Sequence, residues 1–355
     1  MQETDKKYFT KENIEKNRLN ASAILAEQAV HCLELVSQLV NTGLSFQFKG
    51  GNSLLLILEK PQRFSIDVDI ATDEPREKIE SSLDKLINRN KKFIRWEKRH
   101  HKTKPNIPIS SYYLYYKSRF TLPEETNIML DVQLRRSPYK TELKKVECGE
   151  LYRSAAKAEL PLPSSIIGDK LLTMGPETLG IPIGKKKQAQ RLKHVFDVSV
   201  LLDTNPLLSE IRRSLALCLE QENSLQEKAI TLKEVIDDTV AFCSTVALFN
   251  DKPELKNDFS PYLIENIDGF DPFCAHLFAS DYSWNALQLD MARVALCLTG
   301  VGQESLKDED FHEILTMKRE FRESNFPWKD ILLHNPRAGY YWSFAASWLE
   351  RNPFK

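Results

Sequence analysis

The 355-residue sequence predicts an α/β (α+β) fold in which a mixed sheet flanked by helices is followed by a C-terminal helical domain. Three observations lead there. Short runs that alternate apolar and polar residues recur through positions 1–160, stretches of helical apolar spacing lie between them, and from Pro161-Leu162-Pro163-Ser164 onward helical patterns dominate.

Thr10 before Lys11-Glu12-Asn13 is a helix-start signal, and Ile14, Leu19, Ala23, Leu25, Ala29, Leu33 and Val36 follow at helical spacing, predicting one long helix over about 11–41. Asn41-Thr42-Gly43 stops it. Leu44 to Phe48 alternates like a half-buried strand and runs into Lys49-Gly50-Gly51, after which Leu54 to Leu58 makes a short buried helix ended before Pro61. Ile66-Asp67-Val68-Asp69-Ile70 is again a strand pattern, and a helix over about 75–89 follows. Lys92–His100, Ser111–Phe120 and Asn127–Arg135 are rich in aromatic and β-branched residues and read as strands, with further strand character near 145–152. The domain boundary is expected at 160/161, and Asn250–Pro272, rich in Pro, Asp and Asn, reads as a loop within the helical half.

With 42% hydrophobic and 28% charged residues the composition is that of an ordinary globular protein. Its 49 Lys plus Arg against 50 Asp plus Glu exclude a global attraction to nucleic acid or anionic membranes, so any basic surface has to be local. The six cysteines contain no C-x-x-C and read as reduced core residues. The polar N-terminus lacks the apolar stretch of a signal peptide and no run looks long enough to span a membrane, so the expectation is a soluble, cytoplasmic chain without a membrane partner.

Residues i and i+2 of a strand project from one face, so Asp67 and Asp69 can present two carboxylates side by side. Adjacent carboxylates repel unless a cation lies between them, and Mg²⁺ (or Mn²⁺) is held by one or two carboxylates together with substrate phosphates. Asp131, in the apolar strand 128–132, is the candidate third acid, although another acid on the sheet could serve. Gly50-Gly51-Asn52-Ser53 lies where a strand enters a helix, a turn that lets backbone N–H groups approach phosphate oxygens and to which the Ser53 hydroxyl can add a donor. Phosphate cradle and acid pair together suit a nucleoside triphosphate. Each part has a plainer reading: a D-x-D also arises on a solvated strand face, and a glycine pair can be only a turn requirement.

Lys49-Gly50-Gly51-Asn52-Ser53-Leu54 followed by Arg63-Phe64-Ser65-Ile66-Asp67-Val68-Asp69 resembles the AbiEii-type nucleotidyltransferases of the DNA polymerase beta-like superfamily, many of them toxins of toxin–antitoxin and phage-defence systems. Asp169-Lys170-Leu171-Leu172 resembles the family's lysine motif, and Arg191 to Val198 its closing segment, with His194 where an acidic residue is usual. The resemblance covers about residues 44–200. It implies a nucleotidyltransferase core over 1–160 and a helical domain over 161–355 that completes the active-site cleft and supplies Lys170. It also implies Asp67 and Asp69 as metal-binding and catalytic acids, with Lys170 neutralising phosphate charge and Asp197 in the same centre; Asp131, read from its own strand, would join them as a metal-binding and catalytic acid, through a second metal or as the base. Gly50, Gly51, Ser53, Arg63, Ser65 and Lys170 would hold the nucleotide. Against these roles, Lys170 could be an exposed lysine and Asp197 a local partner of Arg191 or Lys193.

The implied reaction moves an NMP from an NTP to a hydroxyl of RNA, tRNA ends included, or of protein, and a cognate antitoxin would be a partner. The alternative is a catalytically silent nucleotide- or RNA-binding module. Two basic stretches, Lys91–Lys102 and Lys185-Lys186-Lys187 leading to Arg191 and Lys193, could contact a phosphate backbone or be solvated faces. His100-His101 makes a poor metal site because strand neighbours point to opposite faces. The aromatic run Tyr340–Trp348 reads as helical core.

Overall fold

The computed structural model describes residues 4–89, 91–99, 108–321 and 326–350. The chain divides into two compact units, Met1–Leu162 with His276–Ala279, and Pro163–Ala275 with Ser280–Lys355.

The first unit is the mixed sheet the sequence predicts. A 3-10 turn at Lys6–Phe9 precedes α1 (Lys11–Asn17) and α2 (Ala23–Asn41), so the single long helix expected from the apolar spacing is two. Leu19 and Asn20 adopt left-handed backbone conformations, and Ser22 starts a fresh helix by accepting from Leu25 N at 3.2 Å. Apolar spacing continues through the break because both helices pack on the same core, which is why the pattern hides it.

β1 (Gln47–Lys49) leads directly into α3 (Gly50–Ile57), then come β2 (Asp67–Ala71), α4 (Arg76–Arg89), β3 (Arg95–Arg99), β4 (Ile109–Lys117) and β5 (Glu125–Gln133). The hairpin β6 (Thr141–Cys148) and β7 (Tyr152–Pro161) closes the unit, and its turn at Gly149, φ +50°, falls where the sequence suggested strand. The seven strands lie in the order β3-β4-β5-β2-β1-β7-β6. β2 pairs parallel with β5 and antiparallel with β1, and β1 pairs parallel with β7.

Val68 and Ile70 on β2, Leu130 and Val132 on β5, and Tyr112 and Tyr116 on β4 are buried on the face covered by α2 and α4. His31 of α2 stacks on Tyr116 with ring centroids 3.7 Å apart, and Tyr112 reaches Glu80 of α4. The residues between them, Asp67, Asp69 and Asp131, are half-buried on the opposite face. Strand alternation thus separates the core from the acids.

Contrary to the sequence expectation, α2 has the length and apolarity of a membrane span. Its acids are nevertheless satisfied inside the fold. Glu27 accepts from Arg119 N and Ser118 Oγ, and Glu34 accepts from Tyr152 OH at 2.6 Å, so the helix packs as a core element.

The second unit is helical: α5 (Pro163–Leu171), α6 (Gln188–Leu202), α7 (Leu208–Gln226), α8 (Leu232–Ser244), α9 (Pro261–Cys274), α10 (Trp284–Gly302), α11 (Asp308–Leu315), α12 (Ile331–His334) and α13 (Pro336–Leu349). The expected loop over 250–272 ends at Ser260, which caps α9 with Pro261 in its first turn, so proline there starts a helix. Tyr340, Tyr341, Trp342 and Trp348 are buried in α13, as the aromatic run suggested. None of the six cysteines is in a disulfide.

Candidate active site

Lys49 pairs with Asp69, Asp69 with Asp131, Asp131 with Ser111 and Ser111 with Arg99, so one register row crosses five strands from β1 to β3. Directly paired residues project from the same face, and Asp67 joins Asp69 there two positions earlier. Ser111, buried, donates to Asp131 Oδ1. Lys49 Nζ donates to Gln133 Oε1 and Ser137 Oγ, each at 3.3 Å.

The glycine turn lies against this row. Gly50 has φ +73°, and a Cβ built on it would meet Asp69 Oδ2 at 1.9 Å, so both the conformation and the space demand glycine. A Cβ on Gly51 would meet Arg63 Nη2 at 2.8 Å and Ser65 Oγ at 3.0 Å. Two segments separated in sequence, Lys49–Ser53 and Arg63–Asp69, therefore lie in direct contact. Asn52 ties them, donating to Asp67 O at 2.6 Å while fully buried. No side chain caps α3.

Ser53 departs from its expected role. It is fully buried and its hydroxyl donates to Gly50 O at 2.8 Å, which fixes the turn from inside the helix and takes the single proton a phosphate would need. Arg63 is buried too, in an antiparallel bridge with Leu277, and Phe64 meets Phe278 edge-on at 4.7 Å. The return of residues 276–279 to the Arg63 segment has no local sequence signal. Behind the acids, burial and then the Asp67 charge hold the Cys32 thiol well above its usual range.

Among the described residues no group of three or more His, Cys, Asp or Glu side chains is gathered to hold a metal ion. Asp67, Asp69 and Asp131 thus share a face without forming a ready cage. The donor chemistry still fits a small hard cation: two carboxylates on one strand face beside a glycine turn leave most of the coordination shell to phosphate oxygens. His100, His101 and Lys102 lie outside the described residues.

In the second unit the lysine motif meets the closing segment. Lys170 Nζ lies 2.9 Å from Asp197 Oδ2, the side chains only 9% and 1% exposed, so Lys170 is not a surface lysine. Asp197 is not the partner of Arg191, which is fully buried against Glu265 at 2.7 Å. Thr173 Oγ1 donates to Lys170 O at 2.7 Å, so its 2.5 Å contact with His194 is one in which the Nδ1–H donates. His194, standing where the family commonly has an acid, thereby braces the backbone of the lysine turn. Lys49, Ser111 and Thr173 were not foreseen as site residues, because their partners lie on other strands or helices.

The family described as "Nucleotidyl transferase AbiEii toxin, Type IV TA system" matches residues 35–265. Among solved structures the chain is similar to MenT4, a nucleotidyltransferase toxin from Mycobacterium tuberculosis H37Rv, at 15% identity and a TM-score of 0.45 over 88% of this chain and 99% of that one. No curated protein matches the sequence. The family match spans well over half the chain, takes in the glycine turn, all three acids, Lys170 and Asp197, and sets aside the silent binding module. The chain belongs to the AbiEii nucleotidyltransferase toxin family and is a nucleotidyltransferase.

Proposed function

We propose that this enzyme moves an NMP from an NTP to a hydroxyl of RNA and acts as the toxin of a toxin–antitoxin pair, with its cognate antitoxin as a protein partner. The observation that carries the reading is the contact of the two motifs, Gly50 against the Asp69 carboxylate and Gly51 against Arg63 and Ser65. Backbone N–H groups at the start of α3 cradle phosphate oxygens, and Arg63 and Ser65 add charge-assisted donors beside them. Asp67 and Asp69 would hold Mg²⁺ (or Mn²⁺), which when bound neutralises triphosphate charge.

The acceptor oxygen bonds to the α-phosphorus as the bond to the β-phosphate oxygen breaks, and pyrophosphate leaves. Asp131, oriented by Ser111 through one carboxylate oxygen, takes the hydroxyl proton on the other. Lys170 keeps the role the family resemblance implies, neutralising phosphate charge, with Asp197 fixing its ammonium. Catalysis is positioning and electrostatics throughout. Six cysteines outside any disulfide suit a reducing cytoplasm.

The test supplies each α-labelled NTP with Mg²⁺, total RNA and total protein, comparing wild type with Asp67→Ala/Asp69→Ala. Label entering RNA with wild type alone supports the reading; label entering protein moves the acceptor to a protein hydroxyl. No transfer by folded enzyme with any NTP overturns the reading. Expression should also arrest growth in a way Asp69→Ala relieves.

A further inference from the structure

We propose that Lys185, Lys186 and Lys187 form the surface that grips the phosphate backbone of the RNA acceptor, an inference resting on the reading that the acceptor is RNA. The sequence offers two basic stretches for that task, and their described side chains behave differently. In the first, Arg95 pairs with Glu97 and Glu125 and stacks 3.4 Å over Tyr115, Lys98 pairs with Glu80 at 2.8 Å, and Lys92 sits 3.9 Å over the Phe9 ring. Those charges are neutralised or engaged within the fold.

Lys185, Lys186 and Lys187 are all exposed, and none takes part in an ion pair among the described residues. From Leu179 to Phe196 the chain contains no Asp or Glu, and the first turn of α6 holds no acid to offset them. In a chain of net charge −1, an uncompensated run of three cations is a local field that selects a polyanion.

The run is also held in place. Before it, Gly184 N donates to Glu265 Oε1 at 3.2 Å, and after it the Lys187 carbonyl accepts from Gln190 N and Arg191 N at 3.1 and 3.3 Å. Arg191, itself ion-paired to Glu265, donates to Ile181 O on the near side of the same loop. A carboxylate buried under the loop thus anchors both flanks while the lysine side chains stay in water. Anchoring lowers the ordering cost of binding, and ammonium groups on flexible stems suit phosphates along a strand without reading bases.

Binding of a fluorescent tRNA transcript by full-length protein, followed by anisotropy between about 50 and 200 mM salt, tests this. Replacing all three lysines by Ala should weaken binding by about tenfold or more and flatten the log–log salt dependence by about 2, near 0.7 per lost phosphate contact. The triple Arg variant should bind like wild type, and Arg95→Ala/Lys98→Ala should leave the slope unchanged. Equal binding and slope for wild type and the triple Ala variant overturns the proposal while the RNA reading stands, as does loss confined to Arg95→Ala/Lys98→Ala. Wild type that binds no RNA yet labels protein overturns both.

Discussion

Gly50 stands so close to Asp69 that any side chain there would occupy the carboxylate's own place, with Oδ2 1.9 Å from the position of a Cβ. The glycine turn and the acid pair are therefore one structure: neither can move without the other. Because the proposed chemistry depends on positioning, this contact is the most sensitive point of the site.

Gly50→Ala should lower NMP transfer about a hundredfold, the loss expected from displacing a reacting group by about 1 Å, with left-handed strain of about 1–2 kcal/mol in addition. Gly51→Ala meets the movable end of Arg63 and, at 3.0 and 3.2 Å, the Oγ and Cβ of Ser65, without a left-handed φ to strain, and should cost about tenfold or less. Transfer rates alongside thermal melts separate site from stability. Equal losses in the two variants would mean the Asp69 contact is not the sensitive one.

Removing the Ser111 hydroxyl frees Asp131 to rotate while leaving its charge. Ser111→Ala should cost about 1 kcal/mol of stability and slow transfer more than it raises the KM for NTP, whereas Ser111→Thr should keep most of the rate. A pure KM effect would assign Ser111 to nucleotide binding.

Lys170 and Asp197 test each other. Either alone, as Lys170→Met or Asp197→Leu, removes one partner of a buried ion pair and should destabilise by about 3–5 kcal/mol, while the double substitution should cost less than the worse single one. Urea melts of the three variants read this directly. Additive losses would show that the pair is not coupled.

Stability should depend on pH through His31. Burial is the main cause that lowers its pKa from 6.5 to about 4, opposed by the hydrogen bond to Glu27 O. Its folded pKa is depressed, so its contribution is complete above pH 6.5 and is lost as pH falls toward 4, by up to about 3 kcal/mol. Asp290 works in the other direction: burial raises it to about 6, so the native state keeps a proton the unfolded chain releases, and its penalty grows from pH 3.8 to 6. Melts of His31→Phe should lose the first dependence and those of Asp290→Asn the second. Unchanged profiles would remove both assignments.

Sequence alone determined the acid face. A period of two puts Asp67 and Asp69 on one side of a strand and Val68 and Ile70 on the other whatever surrounds them, and glycine at a strand-to-helix turn announces its own backbone conformation. These are local consequences of covalent geometry, so they are written where they act. The sheet, the helical half and the two motifs were legible for the same reason.

Tertiary structure decided everything that depends on a partner distant in the chain. It broke the first helix at Leu19 and Asn20, drew residues 276–279 back to Arg63, and turned the Ser53 hydroxyl inward. It buried Arg191 and Lys170, which look like surface cations in sequence, against Glu265 and Asp197. It also left Lys185–Lys187 in water while Glu80, Glu97 and Glu125 took up charges of the other basic stretch. A charge carries no mark of its counterion in the sequence, because burial and pairing are properties of the space around a side chain.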